Sequence, residues 1–236
     1  MVPVLCRNCE VRHHGICGAL DPDQLLELSR NTRVVRQASG STLSADDTEV
    51  VSYGNVMRGV VKLTKMLEDG RQQVVGLQFA PDFVGRLFGT QHTLTAEAVS
   101  DVDLCRISKP ALEKLVRDHP ALERKLLEQT LRELDEAREW MVTLGRKTAG
   151  EKVASFLYLI ATHIDPVAEA ERRQGKRSDA QFELPLSRAE IADFLGLTIE
   201  TVSRQLTKLR TDAVISVTNN RTFVISDLER LLARCG

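Results

Sequence analysis

The stretch SRAEIADFLGLTIETVSRQLTKL, residues 187–209, decides the architecture of the C-terminal part of the chain. Ser187 and Glu190 form the pattern of a capping box, in which two side chains satisfy each other's free backbone N–H groups where a helix begins. Gly196 can adopt the left-handed conformation that ends this helix, and Thr198 can cap a second one. Two short helices joined by a tight glycine turn are typical of a helix-turn-helix, whose second helix enters the DNA major groove.

The second helix is predicted to bury Val202, Leu206 and Leu209. At 3.6 residues per turn, its polar residues then lie on the opposite side. The candidate DNA contacts are Glu200, Thr201, Ser203, Arg204 and Thr207. Arg204 can bind guanine O6 and N7 with two parallel bonds, and Glu200 can accept from the cytosine N4 amine. Glu200 alone could simply complement the positive end of the helix dipole. The two capped helices, the polar face of the second helix and a hairpin pattern over residues 215–225 together predict DNA binding by a winged helix-turn-helix.

Upstream of this domain, the apolar pattern changes from helical to alternating. Val61, Leu63 and Leu67 share one parity, Glu68-Asp69-Gly70 is a turn signal, and alternation resumes at residues 75–79, which together predict a β-hairpin. Further strands are predicted near residues 50–58 and 97–107. The fold class is therefore α+β, with an antiparallel β-roll over residues 21–118.

A long helix is predicted between the two domains, over residues 119–146, opening at Pro120. Apolar residues recur along it at the spacing of a heptad seam, which favours a parallel two-helix contact in a homodimer. The seam residues are Leu127, Leu134, Ala137, Met141 and Leu144, with Thr130 between the first two. Packing of this helix on its own domain is the alternative. The remaining segments are a cysteine-rich one over residues 1–20 and the DNA-binding domain over residues 147–236.

Composition excludes several classes of protein. Of 236 residues, 42% are hydrophobic and 28% charged, and 32 basic against 33 acidic side chains give a net charge of −1, so a DNA-binding surface has to be a local patch. The first twenty residues hold charges and three cysteines where a signal peptide needs an apolar stretch. The sequence therefore predicts a cytoplasmic protein with no membrane partner. An enzyme is not expected, because neither a G-x-G-x-x-G nor a P-loop motif is present.

Three of the five cysteines, Cys6, Cys9 and Cys17, fall within twelve residues. Their C-x2-C-x7-C spacing can bring three thiolates to one centre, and thiolates suit iron–sulfur clusters or zinc. A cubane cluster takes four thiolates. In the predicted strand around Cys105, alternation places Val102 and Leu104 on one face and Cys105 on the other, so Cys105 is the predicted fourth ligand. Cys235, one residue from the end, is expected in a mobile terminus and has no assigned role.

The segment from Leu195 to Arg204 resembles the recognition helix of the CRP/FNR superfamily of bacterial transcription regulators, and its Glu-x-x-Ser-Arg face resembles the FNR branch. The likeness extends over nearly the whole chain. The cysteine pattern with Arg12-His13-His14 resembles the FnrL/FnrN/FixK-like proteins of alphaproteobacteria, although the gap before the third cysteine is longer than in the enterobacterial pattern.

This resemblance implies an oxygen-labile [4Fe-4S] cluster on Cys6, Cys9, Cys17 and Cys105. It further implies a homodimer that forms at low oxygen, binds a TTGAT…ATCAA-type palindrome in double-stranded DNA, and acts mainly as an activator through RNA polymerase. A cyclic nucleotide is not expected, because the glutamate and arginine that hold it in other family members are missing from residues 82–85 and 94–96.

Two alternatives remain within the same family. His13 or His14 could complete a structural Cys3His zinc site with Cys6, Cys9 and Cys17. The regulator could also answer to another signal without any cluster.

Overall fold

The computed structural model describes residues 2–7, 9, 11–175, 178–219 and 221–236. The chain forms two compact units, one of residues 1–70 and 75–136 and the other of residues 71–74 and 137–236. The four predicted segments differ from these two units, and their boundaries stay predictions. Within the described residues, no helix is both long enough and apolar enough to cross a membrane.

The first unit is built on a β-roll. The strands of the roll are β1 (Thr32–Gln37), β2 (Thr42–Ser44), β3 (Ser52–Arg58), β4 (Val61–Met66), β5 (Gln72–Gln78), β6 (Phe83–Val84), β7 (Thr95–Ala98) and β8 (Val102–Ser108), and the first three residues of β5 are counted with the second unit. They form two four-stranded antiparallel sheets, with strand orders β1-β8-β3-β6 and β2-β7-β4-β5. The predicted hairpin is confirmed as β4–β5, with Gly70 at a φ of +84° in its turn. Such a φ is strained for any residue that carries a Cβ atom.

Two separate cores cover the two faces of the first sheet. Val56 and Leu104 point inward, into an apolar cluster between the sheets. Tyr53 and Ile107 lie in a second cluster, which also takes Ile16 from the N-terminal segment and Leu122 from the long helix. Because side chains alternate along a strand, neighbouring residues of β3 and β8 serve different cores.

Four helices belong to or begin in the first unit: α1 (Val4–Arg7), α2 (Pro22–Ser29), α3 (Lys109–Asp118) and α4 (Pro120–Arg146). Helix α4 is the predicted long helix. Leu122 and Leu126, near its start, are buried in the second cluster, whereas residues 131–139 are all exposed. Packing on its own domain therefore accounts for the first turns of α4 and leaves its middle uncovered.

The second unit contains the expected winged helix-turn-helix. Its elements are α5 (Ala149–His163), α6 (Pro166–Arg173), β9 (Ala180–Glu183), α7 (Arg188–Leu195), α8 (Ile199–Thr211), β10 (Ser216–Thr218), β11 (Thr222–Ile225) and α9 (Leu228–Leu232). The wing is a three-stranded sheet in the order β10-β11-β9. Residues 165–181 are a polar, charged run of the kind that predicts a connector, but the described part of this run supplies α6 and the start of β9. Phe182, the next residue in β9, stacks on Phe223 with ring centroids 5.9 Å apart.

Candidate metal centre and nucleic-acid interface

The four predicted ligand cysteines come from two parts of the first unit. Cys6 lies in α1, Cys9 follows it, and Cys17 lies in a short 3-10 turn over Ile16–Ala19. Cys105 is in the middle of β8, at the centre of a sheet. The N-terminal segment packs against the face of that sheet on which Cys105 lies, since Cys6 and Cys17 both contact the second cluster.

All four of these cysteines line one small cavity. The other residues around it are Leu5, Val11, Arg12, Gly15, Asn55, Met57 and Pro81. Cys105 lines the cavity because side chains alternate along β8. Val102 and Leu104 are buried between the sheets, so the side chain of Cys105 points to the other face. The β3–β8 register is regular from Ser52 to Val56, so no bulge interrupts the alternation at Cys105.

Burial and mutual repulsion favour the protonated form of Cys6, Cys17 and Cys105 when no metal is bound, because they raise the pKa of each thiol. Burial, together with the neighbouring Cys105, Cys6 and Cys9, raises the pKa of Cys17 to about 12. Burial likewise raises the pKa of Cys105 to about 12, with Cys6 and Cys9 adding to the shift. Because several thiolates in one desolvated cavity repel one another, binding them all in the charged form requires a cation between them.

Two polar side chains accompany the cysteines. The Arg12 guanidinium acts against the burial that raises the pKa values of Cys6 and Cys17. Asn55, on β3, pairs with Cys105 across the sheet, is 6% exposed, and donates its Nδ2 hydrogen to Cys17 Sγ at 3.9 Å. Asn55 Oδ1 has no hydrogen-bond partner among the described residues, and an unsatisfied buried acceptor costs about 1–3 kcal/mol.

Sequence reasoning did not single out Asn55. The available signal is an amide inside the strand run from Tyr53 to Val56, all of which is buried. Gly18 was also missed. A Cβ atom on Gly18 would lie 2.7 Å from the His13 carbonyl oxygen, so glycine is what lets the chain fold back after Cys17.

The cavity is not arranged around a single ion. Among the described residues, no three His, Cys, Asp or Glu side chains form a group that could hold one metal ion. The two histidines proposed for zinc are exposed and do not line the cavity. His13 Nε2 instead lies 2.6 Å from Nη2 of Arg12.

The helix-turn-helix has the predicted local chemistry. Ser187 and Glu190 make the reciprocal capping box of α7, and Gly196 ends it at φ +60°. The Thr198 hydroxyl accepts from the Thr201 backbone N–H, which caps α8. Helix α7 therefore starts and stops, and helix α8 starts, where the sequence pattern predicts.

Helix α8 presents the predicted DNA contacts on its free side. Glu200, Ser203, Arg204 and Thr207 are exposed, Thr201 is half-buried, and the predicted inward stripe is buried. The hydroxyls of Ser203 and Thr207 donate to carbonyls one turn back, at 2.9 Å in both cases. Hydrogen bonds to its own backbone and to Thr198 lower the pKa of Glu200, which keeps this carboxylate charged.

The predicted seam of α4 is exposed on the isolated chain. Leu127 is 58% exposed, Leu134 44% and Met141 72%; Ala137 is exposed and Leu144 half-buried. The prediction missed Leu131 and Val142, which are also exposed and widen the stripe. An exposed apolar stripe on an otherwise charged helix is typical of an interaction surface.

The expectation for Cys235 was wrong. Its side chain is 5% exposed, and Sγ donates to the Leu231 carbonyl at 3.4 Å. The chain end is held there because the Ser155 hydroxyl donates to the Cys235 carbonyl at 3.5 Å.

Two family models match the chain. One, described as a Crp-like helix-turn-helix domain, matches residues 151–234, and the other, a cyclic nucleotide-binding domain, matches residues 34–119. These ranges cover the winged unit and most of the β-roll.

Similar proteins cover nearly the whole chain. A protein of Rhizobium leguminosarum bv. viciae named "Probable transcriptional activator" is 52% identical over 229 residues, which is 97% of this chain and 92% of the relative. The "Transcriptional activator protein FnrL" of Cereibacter sphaeroides is 38% identical over 231 residues, which is 98% of this chain and 92% of the relative. The solved structure of FixK2 from Bradyrhizobium japonicum matches with a TM-score of 0.74 at 32% identity, covering 87% of this chain and 98% of that one.

Proposed function

Because this chain belongs to the CRP/FNR family of transcription regulators, we propose that it is an oxygen-responsive activator whose Cys6, Cys9, Cys17 and Cys105 hold a [4Fe-4S] cluster. The main observation in support is that all four thiols line one cavity. The alternative hypothesis is a regulator of the same fold without a cluster, which binds structural zinc or responds to another signal.

The donor set fits a cluster better than a single zinc ion. Four thiolates that bind one zinc at about 2.3 Å have to converge on one point, and the described side chains form no such group. In a cubane cluster each thiolate bonds a different iron. Four cysteine sulfurs around a common cavity could therefore bind such a cluster without all reaching a single point. A Cys3His site also needs a histidine in the cavity, and both candidates lie outside it.

When bound, the cluster supplies an oxygen-labile cross-link between the N-terminal segment and β8, as the family resemblance implies. Apolar packing within the chain connects this cross-link to α4. Ile16 and Leu20 flank Cys17 and share one apolar cluster with Leu122 and Leu126, at the start of α4. Ordering the N-terminal segment therefore orders the base of the long helix.

Dimerisation follows from the exposed stripe on α4. Burying Leu127, Leu134 and Met141 against the same residues of a second copy removes apolar surface from water. A ligand that stabilises one state of a monomer–dimer equilibrium shifts its population by mass action. Holding the cysteines together thus favours the dimer, and losing the cross-link in oxygen favours the monomer.

The dimer presents two copies of α8 to DNA, which suits a palindrome of the TTGAT…ATCAA type. Arg204 and Glu200 are assigned to a G·C pair, with Ser203 beside them. DNA binding places the activity in the cytoplasm, with RNA polymerase as the partner in activation. We propose no cyclic nucleotide ligand, because the residues that hold its ribose and phosphate in other family members are absent at positions 82–85 and 94–96.

The test is an anaerobic and an aerobic mobility shift on a TTGAT…ATCAA duplex, with metal analysis of the same sample. We expect iron and acid-labile sulfide in equal amounts, and a shifted band that is lost on exposure to air. A scrambled duplex of equal length is the control. Zinc without sulfide, together with a shift that air leaves unchanged, contradicts the cluster and supports the alternative hypothesis.

A further inference from the structure

We infer that Asn55 is a positioning residue of the cysteine centre: its side-chain amide donates an N–H to Cys17 Sγ and determines how firmly this thiolate holds the cluster. The inference rests on the proposed function, since it assigns a role to Asn55 in the site that the four cysteines form.

The position of Asn55 is fixed by the sheet. It lies in β3 between β8 and β6, directly opposite Cys105 on one side and Phe83 on the other. Its side chain shares the face of the sheet that carries Cys105, lines the same cavity, and is 6% exposed. A side chain in the middle of a central strand has little freedom to turn elsewhere, so the amide is held against the sulfurs.

The side-chain amide of Asn55 makes one hydrogen bond among the described residues. Its Nδ2 donates to Cys17 Sγ at 3.9 Å, and its Oδ1 has no partner there. Gln78 provides a contrast in the same roll. It is also buried, at 8% exposure, and its Oε1 also lacks a partner, but its Nε2 donates to the Phe83 carbonyl at 2.8 Å and so supports the sheet.

A donor beside a ligand sulfur has a defined chemical effect. An N–H···S bond stabilises the thiolate, and hydrogen bonds to ligand sulfurs tune iron–sulfur centres in general. Cys17 is half-buried and packs against the apolar cluster that contains Tyr53 and Ile107. Because this packing reduces the access of water to the sulfur, the Asn55 N–H takes over part of the stabilisation of the thiolate.

The test compares Asn55→Leu, which keeps the number and branching of the side-chain heavy atoms and removes the amide, with Gln78→Met as the matched buried control. Each protein is purified anaerobically, and iron transfer to EDTA is followed without oxygen by the loss of visible absorption. We expect iron release from Asn55→Leu about tenfold faster than from wild type, the lower end of the range for lost outer-shell partners, and a wild-type rate for Gln78→Met. Resonance Raman spectra of Asn55→Leu should show shifted Fe–S stretching bands.

A second variant separates this role from a folding defect. Asn55→Ser is smaller but keeps a donor, and we expect iron release between the wild-type and Asn55→Leu rates, with the thermal transition of the apo protein reported for each variant. Wild-type iron release from both variants overturns the inference and leaves the proposed function standing. Wild-type protein without iron and sulfide rejects the proposed function, and this inference with it.

Discussion

In the cysteine cavity, two predicted ligands that lie 88 residues apart in the chain, Cys17 and Cys105, meet on one face of a sheet, whereas the predicted DNA contacts of α8 fall within eight consecutive positions. The four cysteines of the cavity are half-buried, their thiolates repel one another, and Asn55 Oδ1 beside them has no hydrogen-bond partner among the described residues. In α8, by contrast, the cap and the hydroxyls of Ser203 and Thr207 are satisfied within the helix, and its contact face is open.

This difference separates two kinds of functional site. The cavity depends on tertiary packing and is expected to respond steeply to the loss of one member, because the remaining thiolates cannot be held alone. The face of α8 depends on a local helix, so its members should act more independently. Four substitutions test this contrast.

The largest effect is expected from Cys105→Ser. Removing the ligand contributed by the sheet leaves the N-terminal trio without its fourth thiolate, so we expect nearly complete loss of iron and of the anaerobic mobility shift. Iron content and DNA binding are measured on the same sample. Cys235→Ser is the control, since Cys235 is buried in the other unit. Full iron content in Cys105→Ser would show that the cavity does not act as one centre.

The next effect is expected from Leu134→Glu, which introduces a charge into the apolar stripe of α4. A buried charge without a partner costs several kcal/mol, so the dimer dissociation constant should rise on the order of a hundredfold or more. Anaerobic sedimentation measures the change. Arg132→Glu, another exposed residue of α4 off the predicted seam, should leave the constant near wild type. If both variants dimerise equally well, the stripe is not the interface.

A smaller effect is expected from Arg204→Ala on α8. Loss of a bidentate contact to guanine should cost roughly 1–3 kcal/mol of specific binding without affecting iron content. Affinities for operator and random duplexes are compared at one salt concentration. Arg210→Ala, exposed near the end of the same helix, is the control. Equal losses on both duplexes would mean that Arg204 contacts phosphate and reads no base.

The smallest effect is expected from Ser187→Ala, which removes half of the capping box of α7. Loss of a cap costs about 1 kcal/mol, so the urea midpoint for unfolding of the second unit should fall modestly while the cluster is retained. Glu190→Ala removes the reciprocal bond and should cost a comparable amount. In the double variant the two losses should not add fully, because the two bonds form one motif; full additivity would argue against a cooperative box.

Local patterns predicted local structure well. The capping box at Ser187, the glycine stop at Gly196 and the hairpin at Gly70 are each decided by a few neighbouring residues, and the structure has all three. Alternation also placed Cys105 on the correct face of β8. Predictions that depended on the surroundings of a residue were less accurate. Cys235 is buried although a mobile terminus was predicted, and Leu131 and Val142 belong to the exposed stripe although the heptad pattern left them out. The polar run over residues 165–181 forms α6 and part of β9 in its described part.

The sequence by itself determined the helix-turn-helix and the family that its pattern resembles, because helix caps, turns and side-chain periodicity depend on residues a few positions apart. That Cys6, Cys9, Cys17 and Cys105 form one ligand set stays a prediction. Only the tertiary structure decided that these cysteines share a cavity with Asn55 and that the N-terminal segment shares a core with the base of α4. Those contacts join residues far apart in the chain, and a pattern with a period of two or 3.6 residues carries no information about which distant segments will pack together.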